Sequence, residues 1–239
     1  MTDFIEATHV FANAPESRKT GLVMPQTVRA GMLLDFFNSI GADVAVTAES
    51  GTYVEEEVEL RRPGWRSSFG PANDFINGRR IGTGQLSRRR IRPAGRRELA
   101  CQRTGKGGPL FLPVRRYRRG DAEWVVIGFH LQTRRADKSG RSRRAMTKAL
   151  KQYSRRLVAD GFNVVLLGDT NSGRRWDRKF KHLEPAHRNG VDTILVSPGI
   201  KVGNRGTYDR PRLSDHHFIS ADLAIPTGTV TTMKRLPKP

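Results

Sequence analysis

The sequence predicts an α/β protein built around one sizeable core. Two observations lead there. Apolar runs of strand length alternate with two segments of helical periodicity, and most of the apolar runs stop at a polar residue. A chain of 239 residues is long enough for one such core, or at most two small ones.

The elements follow in order. FIEATHVFANA, residues 4–14, reads as a first strand running to Asn13. In PQTVRAGMLLDFFNSIG, the residues Val28, Met32, Leu33, Phe36, Phe37 and Ile40 recur at spacings that build one apolar helical face, with Gly41 as the stop. ADVAVTAES is then a buried strand ending in Glu49 and Ser50, which completes a β-α-β unit. Residues 61–119 differ in kind. They hold seventeen Lys or Arg against two acids, Asp74 and Glu98, with Gly and Pro recurring throughout. This stretch is expected to form hairpins and long basic loops, with RRELACQR and GPLFLPVRRYR as strands. EWVVIGFHLQT is a buried strand ending near His130. In the helix that follows, Met146, Leu150, Tyr153 and Leu157 form the inner stripe. Arg144, Lys148, Lys151 and Arg155 form a second stripe, read as a solvated face, with a phosphate-facing surface as the lesser alternative. FNVVLLGDTN, VDTILVS and HHFISADLAIP are further strands, and TTMKRLPKP reads as a frayed basic end. The expected organisation is one domain over residues 1–226, with 61–119 as a basic, loop-rich insert, and a basic tail over 227–239.

Composition narrows the partners. The formal charge is +20, from 43 Lys and Arg against 23 Asp and Glu. Such an excess speaks for a polyanion, meaning nucleic acid or an anionic surface. Cys101 is the one cysteine, so an intrachain disulfide and a Cys-based zinc site are both excluded. No stretch approaches the roughly 20 apolar residues of a membrane span, and the N-terminus lacks the pattern of a secretory signal. The expectation is a soluble, cytoplasmic protein with no membrane association and no obligate protein partner. The Arg-rich composition fits a bacterial or phage source.

Polar residues at strand ends are where α/β architectures assemble ligand sites. Here they are Asn13, Glu49, His130, Asp169 with Asn171, Asp192, and Asp215 with His216. Each alone also reads as ordinary turn, cap or surface chemistry. Their combination and order carry the signal.

The ordered set VFANA, ADVAVTAES, GFHLQT, LLGDTNS, GVDTILVS and LSDHHFI resembles the endonuclease/exonuclease/phosphatase superfamily. That group includes pancreatic-type deoxyribonucleases, abasic-site endonucleases, neutral sphingomyelinases and inositol-polyphosphate 5-phosphatases. The likeness runs from about residue 8 to residue 224. Ala48 stands where the family usually has Gln before its metal-binding Glu, Thr170 where a hydrophobic residue is commoner, and the segment between GDTN and VDTI is short.

The resemblance implies a four-layer α/β sandwich, two packed mixed sheets flanked by helices. It also implies roles. Glu49 holds a divalent metal, with Asp215 and Asn13 as supporting oxygen donors, and oxygen ligands suit Mg2+ or Mn2+. Asp169 orients or deprotonates the attacking water, and Asn171 hydrogen-bonds a phosphate oxygen. His216 contacts the scissile phosphate or transfers a proton, and Asp192 orients it through the ring nitrogen turned away from substrate. His130 is a second acid/base or phosphate ligand, with Glu98 a candidate acidic neighbour, although a salt bridge to the flanking arginines serves Glu98 equally well. His217 alternates with His216 and faces away.

The function expected is a metal-dependent nuclease, endo- or exonucleolytic, acting on nucleic acid and on DNA foremost. The phosphate contacts are assigned to Arg88, Arg89, Arg90, Arg115 and Arg116, with Trp65, Phe69 and Phe75 available to stack on bases. No zinc-finger, recognition-helix or RNA-module signature is present, so little sequence specificity is expected. The alternatives are a phosphomonoesterase or lipid phosphodiesterase on the same fold, or an inactive basic nucleic-acid-binding protein.

Overall fold

The computed structural model describes residues 4–11, 26–51, 54, 57–58, 61–76, 79–101, 110–135, 137–172, 175–210, 213–227 and 235–238. Two six-stranded sheets carry the fold. The first contains β1 (Phe4–Phe11), β2 (Val44–Gly51), β3 (Trp65–Ile76), β4 (Arg79–Arg88), β11 (Lys201–Tyr208) and β12 (Phe218–Ala224), in the order β11-β12-β1-β2-β4-β3. The second contains β5 (Arg92–Cys101), β6 (Leu110–Arg119), β7 (Ala122–His130), β8 (Asn163–Asp169), β9 (Glu184–Asn189) and β10 (Asp192–Val196), in the order β5-β6-β7-β8-β10-β9. Both sheets are mixed. β1 and β2 are parallel, as are β7 and β8, and the other pairings are antiparallel.

Three apolar clusters set the layer order helix, sheet, sheet, helix. Val44 and Val46 of the first sheet meet Trp124, Val126, Val165 and Leu167 of the second. Leu33, Leu34 and Phe37 of helix α1 (Gln26–Ser39) cover Ala45, Leu86 and Phe218 on the outside of the first sheet. Met146, Leu150, Tyr153 and Leu157 of helix α2 (Arg141–Ala159) cover Ile127, Phe129, Val164 and Leu166 on the outside of the second. Each central strand therefore buries both faces, which is why its sequence is a continuous apolar run with no alternation. The α2 stripe is the buried one, and Arg144, Lys148, Lys151 and Arg155 are exposed. In α1 the expected face is shifted: Val28 is 52% exposed, while Ala30 and Leu34 are buried.

The basic middle forms hairpins, as expected. Its arginine-rich stretches are themselves strands of 10 to 12 residues. β3 and β4 extend the first sheet, β5 and β6 extend the second, and the chain crosses between them at residues 89–91. The frayed end expected at the C-terminus is also corrected over residues 235–238. Leu236 is buried against the α2 cluster, and Tyr153 Oη donates to the Pro237 carbonyl at 3.1 Å. Among the described residues no helix is long and apolar enough to cross a membrane.

Candidate active site

The strand directions gather the candidate residues at one pole. β1 and β2 run toward it side by side, and so do β7 and β8, in register at His130 and Asp169. β10 runs the other way, so its first residue, Asp192, lies opposite Asp169. β12 is antiparallel to β1, so Asp215 and His216, just ahead of Phe218, arrive at the same pole. Gly168 is dictated by this packing: a Cβ there would lie 1.8 Å from the Phe129 carbonyl oxygen on the neighbouring strand.

The central contact joins the two sheets. His216 Nδ1 lies 2.9 Å from Asp192 Oδ2, and the His216 backbone N–H donates to Ser214 Oγ at 2.9 Å. With Nδ1–H donating to the carboxylate, Nε2 is the ring nitrogen turned away from Asp192. Burial acts against the imidazolium, but the hydrogen bond and charge of Asp192, with the charges of Asp169 and Asp215, outweigh it together, and the His216 pKa is raised.

The GDTN turn is held from below. Thr170 is fully buried; its backbone N–H and its Oγ1 both donate to the Val191 carbonyl, at 3.0 and 2.8 Å. Asn171 takes a left-handed backbone (φ 41), which Asn tolerates well, and its N–H donates back to Asp169 Oδ1. Asn171 Nδ2 donates to the Leu131 carbonyl at 2.7 Å and to His130 Nε2 at 2.9 Å. Both amide hydrogens are then engaged, and Asn171 holds His130. His130 Nε2 also lies 3.7 Å from Asp169 Oδ2.

The structure thus brings together His130, Asp169, Asn171, Asp192 and His216, with Asp215 exposed beside them. Glu49 occupies the far end of β2; its side chain, and that of Glu98, lie outside the described residues, as does Asn13 altogether. His217 turns away, 3.8 Å from Asp209 Oδ1 and half exposed. Sequence reasoning missed Ser214, Thr170 and the Leu131 carbonyl. Ser214 and Thr170 stand beside the named motifs, whereas the carbonyl had no sequence signal.

The five arginines assigned to phosphate contacts lie away from this pole. Val44 pairs with Ser87, so Arg88, Arg89 and Arg90 sit beyond the start of β2, at the pole opposite Glu49. Arg88 lies 4.4 Å over the Trp65 ring and donates to the Ala42 carbonyl, and Arg90 pairs with the buried Asp43. Arg89 is exposed, but at that far pole. Arg115 and Arg116 are buried in the body of β6. Arg115 donates to the Val114 and Arg97 carbonyls, and Arg116 pairs with Glu123. Buried guanidinium groups need such partners, and these are met inside the fold.

The family resemblance implies a divalent ion, and the donors present suit one. Carboxylate oxygens of Asp169 and Asp192 and a His216 ring nitrogen lie within 4.8 Å of one another. The carboxylates suit a hard divalent cation, while His216 Nδ1 is already engaged with Asp192.

Comparison with known proteins agrees with this geometry. No curated protein matches the sequence. Among solved structures, the human Nocturnin catalytic domain with a bound sulfate anion superposes with a TM-score of 0.75 at 15% identity, covering 93% of this chain and 95% of that one. TDP2 from D. rerio, complexed with a single-strand DNA product, gives 0.70 at 13% identity over 92% and 98%. A mannosyl-6-phosphatase from Bacteroides thetaiotaomicron gives 0.68 at 16% identity over 92% and 99%. At these identities the likeness is one of fold. The family model for the Endonuclease/Exonuclease/phosphatase family matches residues 28–216, a span from the first helix to the histidine that Asp192 holds. With most of the chain matched and the motif residues converging across two sheets, this protein belongs to the endonuclease/exonuclease/phosphatase family.

Proposed function

We propose that the protein is a divalent-metal-dependent nuclease of the cytoplasm that hydrolyses phosphodiester bonds in DNA with little sequence specificity. The observation that carries the reading is the pair of buried Asp192 and part-buried His216 beside the buried Asp169, joined across both sheets. An acid–imidazole pair of this kind serves proton transfer at a reacting oxygen, and we assign Asp169 to orienting the attacking water. His130, held by Asn171, is a second imidazole at the same pole. A divalent cation, when bound, supplies charge to the phosphate. Glu49 and Asp215, with Asn13, would hold it beside Asp169. The choice of a polyanionic substrate rests on the charge of +20 and on the structural likeness to a protein solved with a DNA product.

The test is nicking of supercoiled plasmid with Mg2+ or Mn2+, with EDTA, and with Asp169→Asn. Cleavage that requires metal and collapses in the variant is the expected result. Phosphate release from a soluble phosphomonoester with no nucleolysis would replace the reading by a phosphatase. Salt-sensitive DNA binding with no hydrolysis of any phosphoester would replace it by a binding protein.

A further inference from the structure

The exposed cationic stripe of α2 does not stand alone. Arg144, Lys148 and Lys151 form one wall of a groove of about 350 Å³, and Arg178, Lys179 and Lys181 form the other. Among the described residues no carboxylate pairs with any of the six. Lysine and arginine on a helix ordinarily spread into solvent. Here two walls of like charge face each other, and the fold clamps them together.

The clamp is buried and specific. Trp176 Nε1 donates to Thr147 Oγ1 at 3.0 Å, beneath the groove floor. The Trp176 ring stacks on Phe129 at 5.1 Å and packs on Phe180 at 4.4 Å. Further along, Ser154 Oγ lies 2.8 Å from His182 Nε2. Thr147 and Ser154 belong to α2, and Trp176, Phe180 and His182 to the 3-10 turn Asp177–Lys179 and its flanks. The walls are thus held in register before any ligand arrives, so ordering them costs a ligand little.

The groove also has a direction. α2 leads from the end of β7 to the start of β8, so it runs away from the His130–Asp169 pole. Arg144 is nearest that pole, and Trp176 rests on Phe129, the residue before His130. From Arg144 to Lys151 the helical wall of the groove spans about 10 Å at 1.5 Å per residue. That is the reach of roughly three phosphates of one duplex strand at 3.4 Å each.

We infer that this groove tracks the phosphodiester backbone of a nucleic-acid strand as it leaves the catalytic pole, holding a long substrate by charge without reading its sequence. The inference rests on the nuclease reading above. It places the phosphate contacts on α2 and the 3-10 turn, in place of the arginines of β4 and β6. A small phosphomonoester would have no use for six cations strung outward from the site.

The test removes Lys148, Lys151 and Arg178 together as Gln, all three being exposed. A control removes the same charge at the far pole by Arg89→Gln, Arg92→Gln and Lys201→Gln, also exposed. Binding of a labelled duplex is measured in EDTA across a salt series, and cleavage of plasmid and of bis(p-nitrophenyl) phosphate is measured with Mg2+. The groove variant is expected to lower the slope of log K against log salt by about 2 to 3, at about 0.9 per phosphate contact. It is expected to weaken duplex binding at least about tenfold near 0.1 M salt, raise KM for plasmid, and leave the small diester untouched. The far-pole control should match wild type. Equal losses in both variants, or no loss in the groove variant of an active enzyme, would overturn the groove alone. Preferential binding of wild type to phosphatidylserine vesicles, with plasmid KM unmoved, would reassign it to a membrane surface. A wild type that neither binds nor cleaves nucleic acid would overturn both readings at once.

Discussion

Asp192→Asn is the substitution that interrogates the acid–imidazole pair most directly. It keeps the shape of the side chain, so an oxygen can still accept from His216 Nδ1 at 2.9 Å, but it removes the charge. Burial already disfavours the imidazolium, and Asp192 is the main influence holding the His216 pKa up against it. The His216 pKa therefore falls in the variant. A positioned acid–base group contributes about 10²- to 10⁴-fold to a rate, and kcat on plasmid is expected to drop by that order with KM little changed. A second readout needs no catalysis. A group whose pKa is raised on folding stabilises the fold fully below its ordinary value of 6.5, and that stability is lost as pH rises through the folded value. Wild type should exceed the variant by more near pH 5 than near pH 9. The difference is about 1–2 kcal/mol, the excess of a charge-assisted hydrogen bond over a neutral one. Urea titration in EDTA at both pH values, with an NMR titration of the His216 ring, measures it. An unchanged His216 titration with the same stability loss at both pH values would refute the pairing, and an unchanged kcat would remove His216 from proton transfer.

Two further predictions concern the corrected regions. Arg116→Ala leaves the buried Glu123 with Arg118 as its remaining guanidinium partner, and a loss of about 3 kcal/mol in urea is expected, with duplex affinity of the folded protein unchanged. Leu236→Ala opens a gap beside Gly95 and the α2 cluster, and a loss of about 2 kcal/mol is expected, at the low end for buried leucine because a chain end relaxes. An unaltered denaturation midpoint would mean that the C-terminal segment does not dock in solution.

The parts legible in advance were those in which chemistry is local. AEWVVIGFH and NVVLLGD are strands packed on both faces, so an unbroken apolar run announces them. Strand β4 announces nothing. Its inward residues are Thr83, Gln85 and Ser87, all buried, and Gln85 is satisfied by the Pro113 and Val126 carbonyls across the sheets. A strand buried through hydrogen bonds carries no apolar alternation, and arginines on its neighbours make the region look like loop. The same failure hid that Arg90, Arg115 and Arg116 are engaged inside the fold. Charge density in a sequence says how many cations exist, while register says which of them fold onto Asp43 and Glu123.

The sequence by itself determined the α/β class, the two helices, the family and the reactive residues at strand ends, because strand length and a polar stop are properties of contiguous residues. The tertiary structure set Asp192 against His216, as the resemblance implied, and it alone decided that Asn171 holds His130 and that the cations facing each other across a groove belong to α2 and the 3-10 turn. Those pairings join residues far apart along the chain. They depend on strand order and register, and on which face of a strand or helix the packing leaves exposed.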